Sequence, residues 1–373
     1  MRYYLIAGEA SGDLHGSNLM KSLKETDPQA EFRFYGGDLM KAVGGNLVKH
    51  FREMAFMGFF DVLANIRTIT RNLRICKEDI LNFNPDALIL IDYAGFNLRV
   101  AEFSYKHSIK TFYYISPKVW AWKKKRIEKL KKYVSKLFVI FPFEVEYFRK
   151  NGLEVEFYGN PLMDSLAEFR KESINNIDFR TKNNLSKKPI IALLSGSRKH
   201  EISRCLPEMV NAASKFPDYQ FVVAGAPSIP EEHYKGILAN TSIRIVYNQT
   251  YSLLQNSYAA VVTSGTATLE TALFRVPQVV IFKTGALTYQ IGNLLIKVRF
   301  FSLVNLIAER ELVKEFLQFN LSQDIEQELG RICKDTNRRQ EILDGYDQII
   351  SSLGGAGTSN RIAKRIWELA GKA

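Results

Sequence analysis

Short apolar runs alternate with helical stretches along this chain, and the alternation occurs twice. The first series of apolar runs, which we predict to be β-strands, comprises residues 3–7, 32–35, 87–92, 110–115, 137–140 and 155–158. The second series comprises residues 189–194, 220–224, 244–246, 259–263 and 278–281. Strands that alternate with helices form a parallel sheet whose two faces are covered by those helices. The pattern therefore predicts an α/β fold with two tandem Rossmann-like, doubly wound domains.

A polar stretch separates the two series and marks the expected domain boundary. It begins just after Gly159-Asn160-Pro161, which follows the last strand of the first series. We expect an N-terminal domain of residues 1–165 and a C-terminal domain of residues 166–346. The chain has a helical pattern from Asn305 onward, and we expect its last helix, at about residues 347–373, to join the N-terminal domain. Two domains of this kind in tandem predict a ligand-binding cleft between them.

The composition favours anionic partners and a reducing compartment. The 373-residue chain has a formal net charge of +12 at pH 7, which attracts phosphorylated substrates, nucleic acid or an acidic membrane surface. Its 3 cysteines, Cys76, Cys205 and Cys333, are scattered, which is typical of a cytosolic protein without disulfide bonds. Because the sequence lacks Cys-x-x-Cys, paired histidines and Asp-x-Asp, we expect no metal site. Because its first half also lacks Gly-x-Gly-x-x-Gly, we expect no nicotinamide, and no other cofactor is indicated.

One predicted strand ends in a corner that suits phosphate. The strand at 189–194 is followed by Ser195-Gly196-Ser197-Arg198, and a helix begins near Glu201. Such a corner directs backbone N–H groups and the positive end of the helix toward a ligand. The guanidinium of Arg198 matches phosphate oxygens. An ordinary βα turn with a solvated arginine would have the same sequence, because such corners are common.

A second corner in the same half has hydroxyl groups and a carboxylate. The strand at 259–263 runs into Ser264-Gly265-Thr266, and Glu270 follows about one turn into the next helix. Glycine permits close approach of a ligand, and a carboxylate at this distance can accept hydrogen bonds from a ribose diol. The alternative is a capping interaction, with Glu270 on the helix surface. Together the two corners indicate a nucleotide-diphosphate site, with the phosphates at Arg198 and the ribose at Glu270.

Polar residues also follow two predicted strands of the first half. The first strand is followed by a loop in which we predict that Glu9, Ser11, Gly12 and Asp13 face a ligand, although a capped βα turn has the same sequence. The strand at 87–92 ends in Asp92. This carboxylate is either a cap for the following turn or a general base that removes a proton from an incoming hydroxyl.

The stretch from 59 to 73 has an amphipathic pattern. The apolar residues that fall on one helical face are Phe59, Val62, Leu63, Ile66, Ile69 and Leu73, and the arginines along its edge include Arg67 and Arg71. A helix packed on the core has the same periodicity. An apolar face edged by arginines also suits contact with an anionic membrane surface, so both interpretations stay open. A later apolar stretch, at 284–296, is too short to cross a bilayer.

The stretch from Tyr113 to Arg126 mixes aromatic residues with 5 positive charges. Aromatic rings can stack on bases while cations contact phosphates. No nucleic-acid-binding motif accompanies the stretch, and tryptophan packing beside a solvated basic helix accounts for it. We therefore predict no nucleic-acid partner.

Six strings of residues, spread over nearly the whole chain, form a recognisable set. They are Ala7-Gly-Glu-Ala-Ser-Gly-Asp13, Ile91-Asp-Tyr-Ala-Gly-Phe-Asn97, Ser116-Pro-Lys-Val-Trp-Ala-Trp122, and the strings at 195–198, 264–270 and 302–313. On these strings the chain resembles the lipid-A-disaccharide synthase family, bacterial glycosyltransferases of lipopolysaccharide assembly. Two prolines of the family pattern are replaced, one by Ser195 and one by Val304, which changes loop rigidity rather than reacting groups.

The resemblance implies a glycosyltransferase-B-type fold and a reaction. The N-terminal domain would face the acceptor and the membrane, and the C-terminal domain would bind the UDP-sugar. The reaction would transfer 2,3-diacylglucosamine from UDP-2,3-diacylglucosamine to 2,3-diacylglucosamine 1-phosphate, with inversion and release of UDP. Family members lie peripherally on the cytoplasmic face of the inner membrane of Gram-negative bacteria.

The resemblance also implies residue roles. Asp92 would be the general base, and the two corners of the C-terminal half would hold UDP without a metal. The segment that contains Asn305, Arg310 and Glu311 would complete the donor site, and a swapped homodimer is one way of supplying it.

Two other functions fit parts of the sequence. A UDP-N-acetylglucosamine 2-epimerase-like enzyme would use the same architecture on a soluble sugar nucleotide, but it has no use for an arginine-edged apolar helix. A non-catalytic sugar-nucleotide-binding protein at a membrane surface would bind UDP without forming a product. Release of UDP with and without an acylated acceptor separates these functions from the transferase.

Overall fold

The chain consists of two compact units. The computed structural model describes residues 1–54, 66–117, 125–173, 179–285 and 299–371. The first unit comprises Met1–Ala167 and Leu353–Ala373, and the second comprises Glu168–Ser352. The C-terminal helix therefore belongs to the same unit as the N-terminal strand.

The first unit is an α/β unit with a parallel sheet. Its described strands are β1 (Arg2–Ala7), β2 (Glu31–Gly36), β3 (Asn46–His50), β4 (Ala87–Ile91), β5 (Thr111–Tyr114), β6 (Lys136–Val139) and β7 (Glu156–Phe157). Its described helices are α1 (Ala10–Thr26), α2 (Asp38–Val43), α3 (Ile66–Phe83), α4 (Ala94–Lys106), α5 (Lys125–Tyr133), α6 (Pro142–Lys150), α7 (Leu162–Ser173, which crosses the unit boundary) and α16 (Thr358–Gly371). The strand order is β3-β2-β1-β4-β5-β6-β7.

Alternate residues of the central strands pack on opposite faces of this sheet. In β1, Leu5 packs in a cluster that includes Ile362 of α16, while Ile6 packs in a second cluster that includes Ile80 of α3. Both faces are covered, so the central strands are continuous apolar runs. Each fully buried leucine or isoleucine stabilises the fold by about 1.5–3 kcal/mol.

The second unit repeats the architecture. Its described strands are β8 (Ile190–Leu194), β9 (Gln220–Gly225), β10 (Arg244–Tyr247), β11 (Ser257–Thr263), β12 (Gln278–Phe282) and β13 (Glu315–Leu317). Its described helices are α8 (Phe179–Lys182), α9 (Lys199–Ala213), α10 (Glu231–Leu238), α11 (Thr250–Gln255), α12 (Thr266–Leu273), α13 (Leu303–Ala308), α14 (Leu321–Lys334) and α15 (Thr336–Ser352). The strands are parallel in the order β10-β9-β8-β11-β12-β13.

The α/β fold with two doubly wound sheets is confirmed, but the pattern missed the strands β3 and β13. Both are edge strands whose residues are half-buried or exposed. An edge strand lacks the continuous apolar run of a central one, so its sequence signal is weak. The purely helical interpretation of the chain from Asn305 onward is therefore wrong at β13, which pairs with β12.

Candidate active site

Four of the predicted motifs, at residues 9–13, 92, 195–198 and 264–270, follow the strands at which strand order reverses in each sheet. In the first unit, β1 and β4 are neighbours and end in register, with Ala7 opposite Ile91. In the second, β8 and β11 are neighbours, with Leu194 opposite Val262. Open α/β sheets bind ligands beyond the carboxyl ends of the strands at such a switch point. Each unit therefore presents two corners at the position where this architecture places ligands.

The basic corner of the second unit is built around Glu201. The carboxylate of Glu201 accepts a hydrogen bond from the backbone N–H of Ser197 (3.0 Å) and pairs with Nη1 of Arg198 (2.9 Å). Gly196 has a φ of 110°, and a methyl group there would lie 2.8 Å from the Glu201 side chain. Glycine is thus required by conformation and by space. From the sequence, Glu201 has no predicted role beyond the start of a helix, so this ion pair was missed. The spacing of three residues between Arg198 and Glu201 is the signal that could have revealed it.

Exposure distinguishes the residues of this corner. The side chain of Arg198 is 43% exposed, and Arg198 occupies the N-cap position of the 15-residue helix α9 without a side-chain capping hydrogen bond. Ser197 is exposed and Gly196 is half-buried, whereas Ser195 is fully buried. The corner therefore presents Ser197, Arg198 and the helix N-terminus to solvent, while the Ser195 hydroxyl lies beneath the surface. The Ser195 hydroxyl has no hydrogen-bond partner among the described residues, and its contact with the nucleotide stays a prediction.

The acidic corner follows β11. Ser264 donates its hydroxyl to the carbonyl oxygen of Phe301 (2.8 Å), and exposed Thr266 begins α12. A methyl group on Gly265 would meet no atom of the described residues within 4 Å, so space is open there. Glu270 is half-buried and accepts a hydrogen bond from the hydroxyl of Tyr251 (3.1 Å). Burial raises the pKa of Glu270, and the Tyr251 hydroxyl opposes that rise.

Asn305 organises the segment that follows. Its Oδ1 accepts from the backbone N–H groups of Leu312 (2.8 Å) and Val313 (3.0 Å), and its Nδ2 donates to the Val313 carbonyl (2.8 Å) and to Glu315 Oε1 (2.7 Å). Asn305 is fully buried. Because both ends of its amide are bonded within the segment, Asn305 holds this part of the second unit in its conformation. Its contact with the donor stays a prediction.

Arg310 and Glu311 lie on the surface of the same segment. Nη1 of Arg310 lies 3.7 Å from Glu341 Oε1, and Glu311 Oε2 lies 2.6 Å from Lys314 Nζ. Exposed ion pairs of this kind contribute little free energy, so both side chains can exchange partners. They stay candidates for contact with the donor.

In the first unit, the predicted loop after β1 is largely helical. The helix α1 begins at Ala10, so Ser11, Gly12 and Asp13 lie in its first turn, and half-buried Glu9 precedes it. Ser11 is exposed, but Gly12 and Asp13 are buried. A methyl group on Gly12 would lie 3.1 Å from the Ala7 side chain, so Gly12 lets the helix pack against the strand.

The carboxylate of Asp13 has structural partners. It accepts hydrogen bonds from the backbone N–H groups of Gly37 (2.7 Å), Leu39 (3.0 Å) and Met40 (3.1 Å). These donors belong to the first turn of α2 and the residue before it, where helical N–H groups lack partners within the helix. Asp13 therefore links α1 to α2, and its predicted role toward a ligand stays a prediction.

Asp92 follows β4 in an unusual backbone conformation. Asp92 and Tyr93 have φ angles of 43° and 46°, in the left-handed region that costs a non-glycine residue about 1–2 kcal/mol. Asp92 is half-buried. Burial lowers the pKa of Arg126, and the charges of Tyr113 and Asp92 oppose that change, so Arg126 lies in the electrostatic field of Asp92.

Glu9 faces the same turn. Burial, and then the charge of Glu9, raise the pKa of Tyr93 to about 12. A methyl group on Gly8 would lie 2.3 Å from the Tyr93 ring, so the ends of β1 and β4 are in close contact. Glu9 and Asp92 therefore follow the neighbouring strands β1 and β4 at the switch point of the first unit.

The amphipathic segment is only partly described. Phe59, Val62 and Leu63 lie outside the described residues. Of the rest, Ile66 (54% exposed), Arg67 and Arg71 lie on the surface of α3, whereas Ile69 and Leu73 are half-buried.

The face of α3 that packs on the core continues the predicted apolar face, because Ile69, Leu73, Cys76 and Ile80 follow one another at helical spacing. Its buried residues are Asn72, Cys76 and Ile80, and Leu73 packs partly against the same core cluster. In the described ranges, no helix is long and apolar enough to span a bilayer. The same ranges contain no group of three or more His, Cys, Asp or Glu side chains arranged to hold a metal ion.

Comparison with solved structures places this architecture in a class. The chain is similar to UDP-N-acetylglucosamine 2-epimerase of Neisseria meningitidis bound to UDP-GlcNAc, with a TM-score of 0.70, 11% identity and coverage of 99% of this chain and 100% of that one. It is also similar to a putative UDP-N-acetylglucosamine 2-epimerase of Listeria monocytogenes, with a TM-score of 0.66, 14% identity and coverage of 97% and 94%. At these identities the likeness shows the fold alone. The fold is that of the glycosyltransferase-B class of sugar-nucleotide enzymes.

Sequence relatives identify the family within that class. A profile of the lipid-A-disaccharide synthetase family matches residues 3–361. Lipid-A-disaccharide synthases of Geobacter sulfurreducens (35% identity over 380 residues, 100% of this chain and 98% of the relative) and Myxococcus xanthus (35% over 376 residues, 99% and 97%) are similar over their full length. The chain belongs to the lipid-A-disaccharide synthetase family and is a glycosyltransferase of lipid A biosynthesis. The predicted family and enzyme class are confirmed, and the epimerases are structural relatives only.

Proposed function

We propose that the chain transfers 2,3-diacylglucosamine from UDP-2,3-diacylglucosamine to 2,3-diacylglucosamine 1-phosphate, with inversion at the anomeric carbon and release of UDP. Family membership supports a UDP-sugar donor and a sugar acceptor. One observation carries the assignment of the donor to the second unit: a basic corner and an acidic corner follow neighbouring strands at its switch point. That arrangement suits a nucleotide diphosphate, which has anionic and diol groups to recognise.

The basic corner would receive the diphosphate. The N-terminus of α9 has backbone N–H groups without helical partners, and Arg198 lies beside them. Before UDP binds, Glu201 pairs with Arg198 and keeps its guanidinium at the corner. As the donor bond breaks, these groups stabilise the charge that develops on UDP, so the scheme uses no metal. Glu270, half-buried in the acidic corner, would accept hydrogen bonds from the ribose hydroxyls.

Arg198→Gln should weaken UDP binding by about 10- to 100-fold, because a charged hydrogen bond contributes about 1.5–3 kcal/mol. Isothermal titration of UDP measures the effect. Arg204→Gln is the matched control, because Arg204 lies on the same helix α9 but more than one turn from its N-terminus. This variant should change UDP affinity by less than about twofold. Equal UDP affinity for Arg198→Gln and the unmodified protein would reject the phosphate role.

Asp92 would act as the general base in the first unit. Inversion requires a single displacement, in which the acceptor hydroxyl attacks the anomeric carbon as the UDP oxygen leaves. The hydroxyl proton passes to the Asp92 carboxylate, and the electron pair of the broken bond stays on UDP. Glu9, at the same switch point, supplies a second carboxylate that can orient the acceptor sugar.

We also propose that the protein acts as a peripheral protein on the cytoplasmic face of the inner membrane, since both substrates carry acyl chains. The net charge of +12 supports attraction to an anionic surface. Exposed Ile66, flanked by Arg67 and Arg71 on α3, is one contact of suitable chemistry. A swapped homodimer is a further proposal, which the family resemblance alone supports.

The decisive experiment supplies the purified protein with both acylated glucosamine substrates and analyses the lipid product by mass spectrometry. We expect a disaccharide 1-phosphate and one UDP for each disaccharide formed. Release of UDP that does not need the acceptor would indicate epimerase-like chemistry on the donor. Binding of UDP without any product would indicate a non-catalytic protein. Either result would overturn the proposed transferase reaction.

A further inference from the structure

The turn that contains Asp92 is strained. Asp92 and Tyr93 both adopt left-handed backbone angles, and no other consecutive pair of non-glycine residues does so in the described ranges. Residues stay in this region only where their surroundings hold them there. Strain retained at the end of a strand, beside a proposed catalytic carboxylate, points to a constraint on the direction of that carboxylate.

Two buried side chains from other elements hold this turn. The carbonyl oxygen of Asp92 accepts one hydrogen bond from the hydroxyl of Tyr113 in β5 (2.5 Å) and another from Nδ2 of Asn97 in α4 (2.9 Å). Asn97 Nδ2 also lies 3.2 Å from the carbonyl oxygen of Ile91 and 3.4 Å from that of Ile6. Both donor side chains are 0% exposed. A carbonyl group with two fixed donors cannot rotate, so the peptide plane after Asp92 is fixed.

We propose that Tyr113 and Asn97 are positioning residues, which hold Asp92 in its left-handed conformation and so aim its carboxylate at the acceptor hydroxyl. This inference rests on the proposed function, because it takes Asp92 as the general base. Neither Tyr113 nor Asn97 contacts substrate in this scheme. Their effect is geometric: a base displaced by a fraction of an ångström loses much of its ability to accept the proton in the transition state.

The chain contains a matched pair of tyrosines for the test. Tyr113 and Tyr114 are consecutive in β5 and both are fully buried, but their side chains pack in different core clusters on opposite faces of the sheet. Tyr113→Phe and Tyr114→Phe each remove one buried hydroxyl, and only the first removes a hydrogen bond to Asp92. We expect Tyr113→Phe to lower kcat about tenfold, with KM for both substrates and UDP affinity within about twofold of the unmodified protein. Tyr114→Phe should keep kcat within about twofold.

A double variant separates this inference from the proposed function. Asp92→Asn combined with Tyr113→Phe should turn over no more slowly than Asp92→Asn alone, because the hydroxyl acts only through Asp92. Equal kcat losses in the two tyrosine variants, or a Tyr113→Phe loss that persists in the Asp92→Asn background, would overturn the positioning role. Full turnover by Asp92→Asn would instead overturn the base assignment.

Thermal unfolding of each variant checks that it is folded at the assay temperature. Should Tyr113→Phe fail to fold, Asn97→Ser measured in the same assays provides the test. A loss of kcat at constant KM supports the positioning role, and unchanged kcat overturns it.

Discussion

Asp92→Asn is expected to lower kcat by about 10²- to 10⁴-fold, the range that a well-placed general base contributes. The substitution keeps the size of the side chain and the backbone carbonyl that Tyr113 and Asn97 hold. It removes the negative charge and, with it, the ability to accept the acceptor proton. UDP affinity should stay within about twofold, because the proposed UDP contacts all belong to the second unit. Steady-state kinetics with both acylated substrates and titration of UDP provide the two measurements.

Asp86 offers a matched control for this variant. It precedes β4, so Asp86 and Asp92 flank the two ends of one strand. Asp86 is exposed, and its carboxylate accepts a hydrogen bond from the backbone N–H of Arg2 (2.7 Å). The side-chain amide oxygen of an asparagine can accept the same hydrogen bond. Asp86→Asn should keep kcat within about twofold. A kcat for Asp92→Asn within threefold of the unmodified protein would show that Asp92 is a turn residue and not a base.

The sequence predicted the central strands better than the edges because burial on both faces leaves a clear pattern. β8 is an uninterrupted run of five buried residues, and β4 is another. β3 and β13 pair on one side only and include exposed or half-buried side chains, so they resemble loops in sequence. The site depends on the central strands, which is why both switch points could be located.

The partners of individual side chains could not be read from sequence in the same way. Asp13 is bonded to backbone groups 24 to 27 residues away, and Asn305 closes a segment of its own chain. Each lies in a motif that suggested a ligand. Polar residues that fold a loop and polar residues that bind a substrate occur in the same kind of motif, and only the hydrogen-bond partners distinguish them. The buried Asp13 and Asn305 therefore have structural partners, whereas Arg198 lies at the surface, and the ligand roles of all three stay predictions.

The amphipathic helix shows a further limit of periodicity. α3 has apolar residues on more than one side, including exposed Ile66 and Ile75 as well as buried Cys76 and Ile80. A helical period of 3.6 residues identifies such stripes but does not say which of them packs on the core. The core takes the stripe that runs from Ile69 and Leu73 to Cys76 and Ile80, while Ile66 and the arginines are exposed.

His15 is a buried titratable group that has no part in the proposed reaction. It lies in α1, is 6% exposed, and its Nδ1 atom has no hydrogen-bond partner among the described residues. Burial lowers the pKa of His15 to about 4, and the charge of Asp164 opposes that shift only in part. The Asp164 carboxylate itself accepts hydrogen bonds from the N–H groups of Gly357, Thr358 and Ser359 at the start of α16.

The stability of the protein should therefore fall in mild acid, and His15→Leu should reduce that fall. Between pH 6.5 and 4 the unfolded chain takes up a proton on His15 that the folded protein excludes, so the free energy of unfolding decreases as the pH drops. For these pKa values the loss between pH 7 and pH 5 is about 2 kcal/mol. Urea unfolding of both proteins at pH 7 and pH 5 measures it. At pH 7 the imidazole is mostly neutral in the folded and unfolded states, so the difference in unfolding free energy between the two proteins reports packing. The change in this difference from pH 7 to pH 5 reports the free energy of protonating His15. The same pH dependence in His15→Leu and the unmodified protein would show that His15 takes up its proton in the folded state as well.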